Sequence, residues 1–229
     1  MDDWLLTPGE WSAVALSLKV ALTATVVSLP FGIGLGYFLA RKQFPGKSLV
    51  ETVLSLPLVL PPVVTGYLLL ILLGRRGWIG AYLDEWFGLQ LVFTWKAAAV
   101  ASAVMAFPLM VRAIRVAFGE VDRRLELAAR TLGAGPMETF VRISLPLARR
   151  GISAGAVLAF ARSMGEFGAT VMIAGNIPGE TQTIPLFIYS QANSPGGIET
   201  SARLVVVCVI IAAVALGFSE YLERRHPTR

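Results

Sequence analysis

Arg162 and Glu166 lie within a long apolar run, in the segment FARSMGEFGAT. Ionised side chains at the centre of a bilayer cost at least about 2.5 kcal/mol each, so a pair there calls for a reason. The i, i+4 spacing puts both on one helix face, where they can neutralise each other. Two readings stay open. Arg162 presents positive charge to an anion in a pathway or gate, or the pair is a structural fixture between packed helices. Thr170 follows closely, and Thr65 lies in another apolar run. Arg162, Glu166, Thr170 and Thr65 are therefore the candidate pathway or gate residues. Lys19 also falls in an apolar run, nearer its end, where its stem can carry the ammonium to the interface.

Other reactive side chains are scarce. The chain has one histidine, His226, and one cysteine, Cys208. No intramolecular disulfide, His/Cys metal cluster or Cys–His nucleophile pair can be built from them. Gly46-Lys47-Ser48 imitates the end of a phosphate-binding P-loop, but the position of the first glycine holds Arg41 and no strand precedes it. No catalytic residue is therefore assigned.

The elements that must position these residues are membrane helices. Of 229 residues, 55% are hydrophobic and only 15% charged, against about 25% charged in soluble domains. Several apolar stretches approach or exceed the roughly 20 residues that cross a bilayer. The sequence predicts one all-α membrane domain over 1–229 with five spans, near Ser12–Ala40, Leu49–Leu73, Lys96–Phe118, Gly151–Ala174 and Arg203–Tyr221. Pro57, Pro61 and Pro62 make the second span kinked or broken, packed within the bundle. Segments 74–95 and 175–200 read as loops, and a polar, arginine-rich loop covers about 119–150.

The net charge of +5 does not point to nucleic acid, because the basic residues are confined to loops. The loops after spans one and three and the C-terminal tail hold twelve Lys or Arg, whereas the opposite side holds only Arg75 and Arg76 away from helix ends. By the positive-inside rule the N-terminus faces outside and the C-terminus faces the cytoplasm. The acidic start MDDWLLTPGEW lacks the basic region of a cleaved signal peptide, so the first span is expected to remain as an anchor.

The 119–150 loop is then cytoplasmic. Leu125, Ala128, Ala129 and Leu132 are spaced for one helical face. Gly133 and Gly135 end that helix, and Pro136 suits the first turn of another. Small residues on a short exposed helix let another protein approach closely. Glu126, Ala128, Ala129, Gly133, Ile143, Leu145 and Pro146 closely resemble the E-A-A-x-x-x-G-x9-I-x-L-P loop of ABC-transporter permeases. Aligned on Gly133, the family's acidic position falls on Leu127, so the acid is displaced by one residue to Glu126. The resemblance implies that this loop docks into a groove on a separate ATPase subunit, which binds ATP and Mg and hydrolyses the nucleotide, while this chain binds no cofactor.

FPGKSLVE (44–51), LPLVLPPVVTGYLLL (56–70), GRRGWIG (74–80), ARSMGEFGAT (161–170) and GNIPGETQTIP (175–185) look like the molybdate-transporter branch of those permeases. That resemblance implies two permease copies with ten helices, two ATP-binding subunits and a periplasmic molybdate-binding protein, in a bacterial inner membrane. Sulfate/thiosulfate and tungstate permeases are the neighbouring alternatives. A stand-alone secondary transporter is the alternative of a different class, but it would not need the docking loop, and no inverted repeat is evident.

Overall fold

The computed structural model describes residues 6–194 and 197–224, and these are helical with no strand among them. Helix α1 spans Pro8–Arg41, about 50 Å at 1.5 Å per residue. It starts where Thr7 and Glu10 cap each other: the Thr7 N–H donates to Glu10 Oε2 at 2.6 Å and the Glu10 N–H donates to Thr7 Oγ1 at 3.3 Å. Pro8 takes a first-turn position whose N–H would lack a partner anyway.

Helices α2 (Lys47–Val59) and α3 (Pro62–Leu73) form the expected broken span, bent by 110°. Pro61 and Pro62 cannot donate to the preceding turn, so the helix stops at Leu60 and restarts at Pro62. A short helix, α4 (Gly80–Phe87), interrupts what the sequence marks as a loop. Helix α5 (Trp95–Glu120) is the third span. Next come α6 (Arg123–Thr131), α7 (Pro136–Thr139), a π-helical turn (Phe140–Ser144) and α8 (Leu145–Met164). Residues Pro136–Met164 run as one 29-residue rod.

The fourth span differs from expectation at both ends. Helix α8 starts at Leu145 rather than Gly151, because Pro146 fits a first turn and Arg149 and Arg150 can extend their charges outward. It stops at Met164, and α9 (Gly168–Ala174) begins after a three-residue break. Glu166 therefore sits in the break and not on a helix face. The outer segment 175–200 also contains α10 (Ile184–Ala192), which buries Ile184, Leu186 and Phe187; packing of that apolar face overrides the loop-like Gly, Pro and Asn content. Helix α11 covers Gly197–Arg224, with its apolar stretch at Ser201–Val214. Among the described residues three helices (α1, α5 and the Pro136–Met164 rod) are long and apolar enough to cross a membrane, and the bent α2–α3 pair makes a fourth crossing if counted as one.

Helix α5 is the central element. Gly32 and Gly36 of α1 lie against it: a Cβ at Gly32 would come 2.8 Å from Met110 Sδ, and one at Gly36 would come 2.7 Å from Ile114 Cγ2. From the other side Gly151 and Gly155 of α8 pack on Ala117, Ala113 and Met110. Two small-xxx-small stripes thus hold α5 at close range, the usual way for helices to associate where lipid supplies no hydrophobic drive. At the start of α1 Glu10 is fully buried, with Arg203 Nε of α11 3.6 Å away. Lys19 does not merely snorkel, since its ammonium lies 3.8 Å from the Trp95 ring centroid.

At Gly66 a Cβ would sit 2.7 Å from both Cα and O of Ala169, across the α3–α9 crossing. Backbone atoms cannot yield as a flexible side chain does. Gly66→Ala is expected to destabilise the protein by about 1–3 kcal/mol, visible as a lower thermal midpoint in detergent. Gly34→Ala, with nothing within 4 Å, is expected to leave the midpoint unchanged.

Candidate functional site

The first candidate site is built on α6. Asp122 caps it by accepting the Arg124 N–H at 2.9 Å. At the other end the Gly133 N–H donates to Arg130 O and the Ala134 N–H to Ala129 O, both at 3.0 Å. This is a Schellman closure, and it needs a left-handed residue just past the helix. Gly133 supplies it with φ of +95°, so its place in the motif has a backbone cause. Ala128 and Gly133 are exposed and Ala129 is half-buried. Around them Leu132 is 89% exposed and Met137 73%, an apolar surface on an otherwise charged segment. Pro146 is exposed at the start of α8, Ile143 is half-buried, and Leu145 packs against the α5–α8 core.

Glu126 points the other way. It is 8% exposed, and Arg41 holds it from the end of α1: Nη2 and Nε donate to Glu126 Oε1 at 2.7 and 3.0 Å. Ser144 Oγ donates to the same oxygen at 2.8 Å, and Arg41 Nη2 also donates to Val121 O at 3.0 Å. Residues two apart on a helix point about 200° apart, so with Ala128 facing out, Glu126 must face in. The sequence reading missed Arg41 and Ser144. Arg41 counted there only as one loop charge, and nothing in sequence spacing links position 41 to 126.

The membrane-embedded site lies at the far end of α8. Arg162 Nη1 is 2.8 Å from Glu166 Oε2, and the carboxylate is almost fully buried while the arginine side chain is 30% exposed. Glu166 Oε1 also accepts the Ala169 N–H at 2.9 Å. The carboxylate therefore neutralises α8's last basic residue and satisfies a free amide in the first turn of α9. Gly168 packs α9 onto the same chain's α3, where its Cβ would come 2.8 Å from Pro62 Cβ, whereas Gly165 has open space around it. Thr65 on α3 and Thr170 on α9 are both buried, and neither hydroxyl meets a protein partner. Thr65, Thr170, Arg162 and Glu166 thus lie near the crossing of two interrupted helices, and Ala128, Ala129 and Gly133 lie toward the opposite end of α8.

Two interrupted helices meet at one end of a long apolar rod, and a short surface helix leads into its other end. Residues 32–226 match the family described as the binding-protein-dependent transport system inner membrane component, and the chain belongs to that family. It is an inner-membrane permease subunit. Among its relatives, the molybdenum transport system permease protein ModB of Escherichia coli K12 is 56% identical over 220 residues, 96% of each chain. The ModB of Haemophilus influenzae is 54% identical over 216 residues, 94% of each chain. A sulfate transport system permease protein, CysW of Synechocystis, is 37% identical over 214 residues, covering 93% of this chain and 77% of its own length. Two solved structures share the fold. The inward-facing methionine transporter MetNI matches with TM-score 0.67 and 20% identity, covering 96% of this chain and 95% of that one. A bacterial alginate transporter complex matches with TM-score 0.73 and 16% identity, covering 96% and 80%.

The ion pair is asymmetric, and so are its expected mutational effects. Arg162→Met leaves a buried, unpaired carboxylate and is expected to cost about 3 kcal/mol. Glu166→Gln keeps an oxygen for the Ala169 N–H and leaves a half-exposed arginine, so its cost should be clearly smaller. Thermal denaturation of the two purified variants checks the order.

Proposed function

We propose that this chain is the membrane-spanning subunit of an ATP-driven molybdate importer and moves the oxyanion inward by alternating access, without chemistry on it. The carrying observation is the 56% and 54% identity, over nearly the whole chain, to two molybdenum permeases. In this reading two copies pair through five spans each, giving ten helices. Two ATP-binding subunits dock on the Ala128–Ala129–Gly133 surface and bind the ATP and Mg, and a loaded periplasmic molybdate-binding protein docks on the outer segments 74–95 and 175–200.

The geometry suits such a cycle. Pressure on the coupling surface enters the Pro136–Met164 rod, whose far end carries Arg162 and the break before α9. Partly exposed Arg162 and the Thr65 and Thr170 hydroxyls are groups a tetrahedral dianion can use in passing. Full neutralisation of Arg162 by Glu166 keeps the positive potential low, which favours transit over trapping. Those groups serve sulfate or tungstate nearly as well, and the 37% identity to a sulfate permease makes sulfate the second reading.

Reconstituted with its ATPase and binding protein, the complex is expected to accumulate radiolabelled molybdate in an ATP-dependent way, with excess unlabelled sulfate competing poorly. Efficient sulfate uptake with molybdate ignored would move the assignment to the sulfate branch.

The proposed orientation has the N-terminus in the periplasm and the C-terminus in the cytoplasm. In a Cys208→Ser background, single cysteines at Ser48 and Gly179 are expected to react with an impermeant thiol reagent from opposite membrane faces. Labelling of both from one face would refute it.

A further inference from the structure

The acid of the coupling motif is spent inside its own subunit, and the way it is spent carries the inference. One oxygen, Glu126 Oε1, receives three donors: Arg41 Nε, Arg41 Nη2 and Ser144 Oγ. The same Arg41 Nη2 reaches the Val121 carbonyl at the C-terminal cap of α5. A single node thereby joins the last residue of α1, the end of α5, the middle of α6 and the π-helical turn that opens into α8. Both ionic side chains are about nine-tenths buried, with side-chain exposures of 9% and 10%. A π-helical turn at a junction is a frequent mark of a functional site, and here its last residue, Ser144, is one of the three donors.

Without this node, α6 would hold to the membrane helices mainly through its two chain ends, its packing on the π-helical turn and an exposed 3.5 Å bond from Arg123 Nη2 to the Ala40 carbonyl of α1. A push on it could be absorbed by the Gly133–Gly135 turn on one side and by Val121–Asp122 on the other. We propose that Arg41 is a positioning residue which, by gripping Glu126 and the Val121 carbonyl together, makes α6, α1, α5 and the base of α8 move as one body when a partner presses on the coupling surface. The inference rests on the reading that α6 docks on an ATPase. It assigns the motif's acid to force transmission within the permease, leaving docking to the small residues on the opposite face. Lysine could not serve equally, because it lacks the planar fork that engages carboxylate and carbonyl at once.

The test uses the complete transporter in proteoliposomes with the ATPase and loaded binding protein. Three quantities are read: ATPase co-purification, thermal stability, and the ratio of hydrolysis with loaded binding protein to hydrolysis without it. For Glu126→Gln and Arg41→Met/Glu126→Met the ATPase is expected to co-purify as in wild type, while the ratio falls at least about fivefold. The double variant should also recover stability lost in Arg41→Met, since no buried charge is left unpaired. Ala128→Trp, a docking variant, should instead shed the ATPase.

A double variant as stable and as coupled as wild type overturns the proposal, because a purely structural pair predicts that result. Glu126→Gln shedding the ATPase as Ala128→Trp does also overturns it, since the acid would then belong to the docking surface. If the double variant does not assemble, Glu126→Gln and Ser144→Ala decide by the same ratio, and wild-type ratios in both overturn the proposal. A wild-type chain that never retains the ATPase refutes the docking reading itself, and with it the role given to the Arg41–Glu126 node.

Discussion

Close backbone approach around α5 is the constraint on which the rest of the structure depends. Lipid is as apolar as leucine, so greasy surface alone gives the helices no reason to associate. Gly32 and Gly36 on one side and Gly151 and Gly155 on the other remove the side chains that would hold α1 and α8 away. Bulkier Met110, Ile114 and Phe118 on α5 fill the resulting grooves and are almost fully buried. With α1, α5 and α8 in register, both sites acquire fixed positions at opposite ends of α8. The α1 terminus also comes near α6, which sets up the Arg41–Glu126 contact.

Around that core the charges follow one rule: each deeply buried carboxylate has a cation nearby. Glu10 has Arg203, Glu126 has Arg41, and Glu166 has Arg162. In low dielectric an isolated charge would neutralise or pull water in, so the pairs are a condition of folding as much as devices. They differ in what else the carboxylate does. Glu10 closes the first turn of α1, Glu126 draws in the Ser144 hydroxyl, and Glu166 accepts an amide of α9. Each therefore fixes a helix terminus or junction, the places where free backbone groups are hardest to bury.

Two of the helices are interrupted, and their interruptions lie against each other. The α2–α3 bend and the α8–α9 break meet, with Gly66 against Ala169 and Gly168 against Pro62. That crossing carries two buried hydroxyls with no protein partner, Thr65 and Thr170. The continuous Pro136–Met164 rod spans the distance between it and the α6 surface.

Hydropathy marked three helices long and apolar enough to cross a membrane, and a fourth as a bent pair, among the described residues, since lipid permits few alternatives to a helix once some twenty apolar residues run together. Proline placement determined the break in the second span, because a missing N–H is a local fact. The E-A-A-type spacing located the short helix α6, and Gly133 fell where a left-handed residue closes it. Local pattern could not reveal that α8 stops at Met164, because the Arg162–Glu166 spacing fits an unbroken helix equally well, and only packing of Gly168 on Pro62 decides otherwise. Nor could it give Arg41 and Ser144, or turn Glu126 inward. Those contacts span 85 and 18 residues, and they exist because the glycine-faced packing of α1 and α8 on α5 brings three distant segments to one carboxylate oxygen.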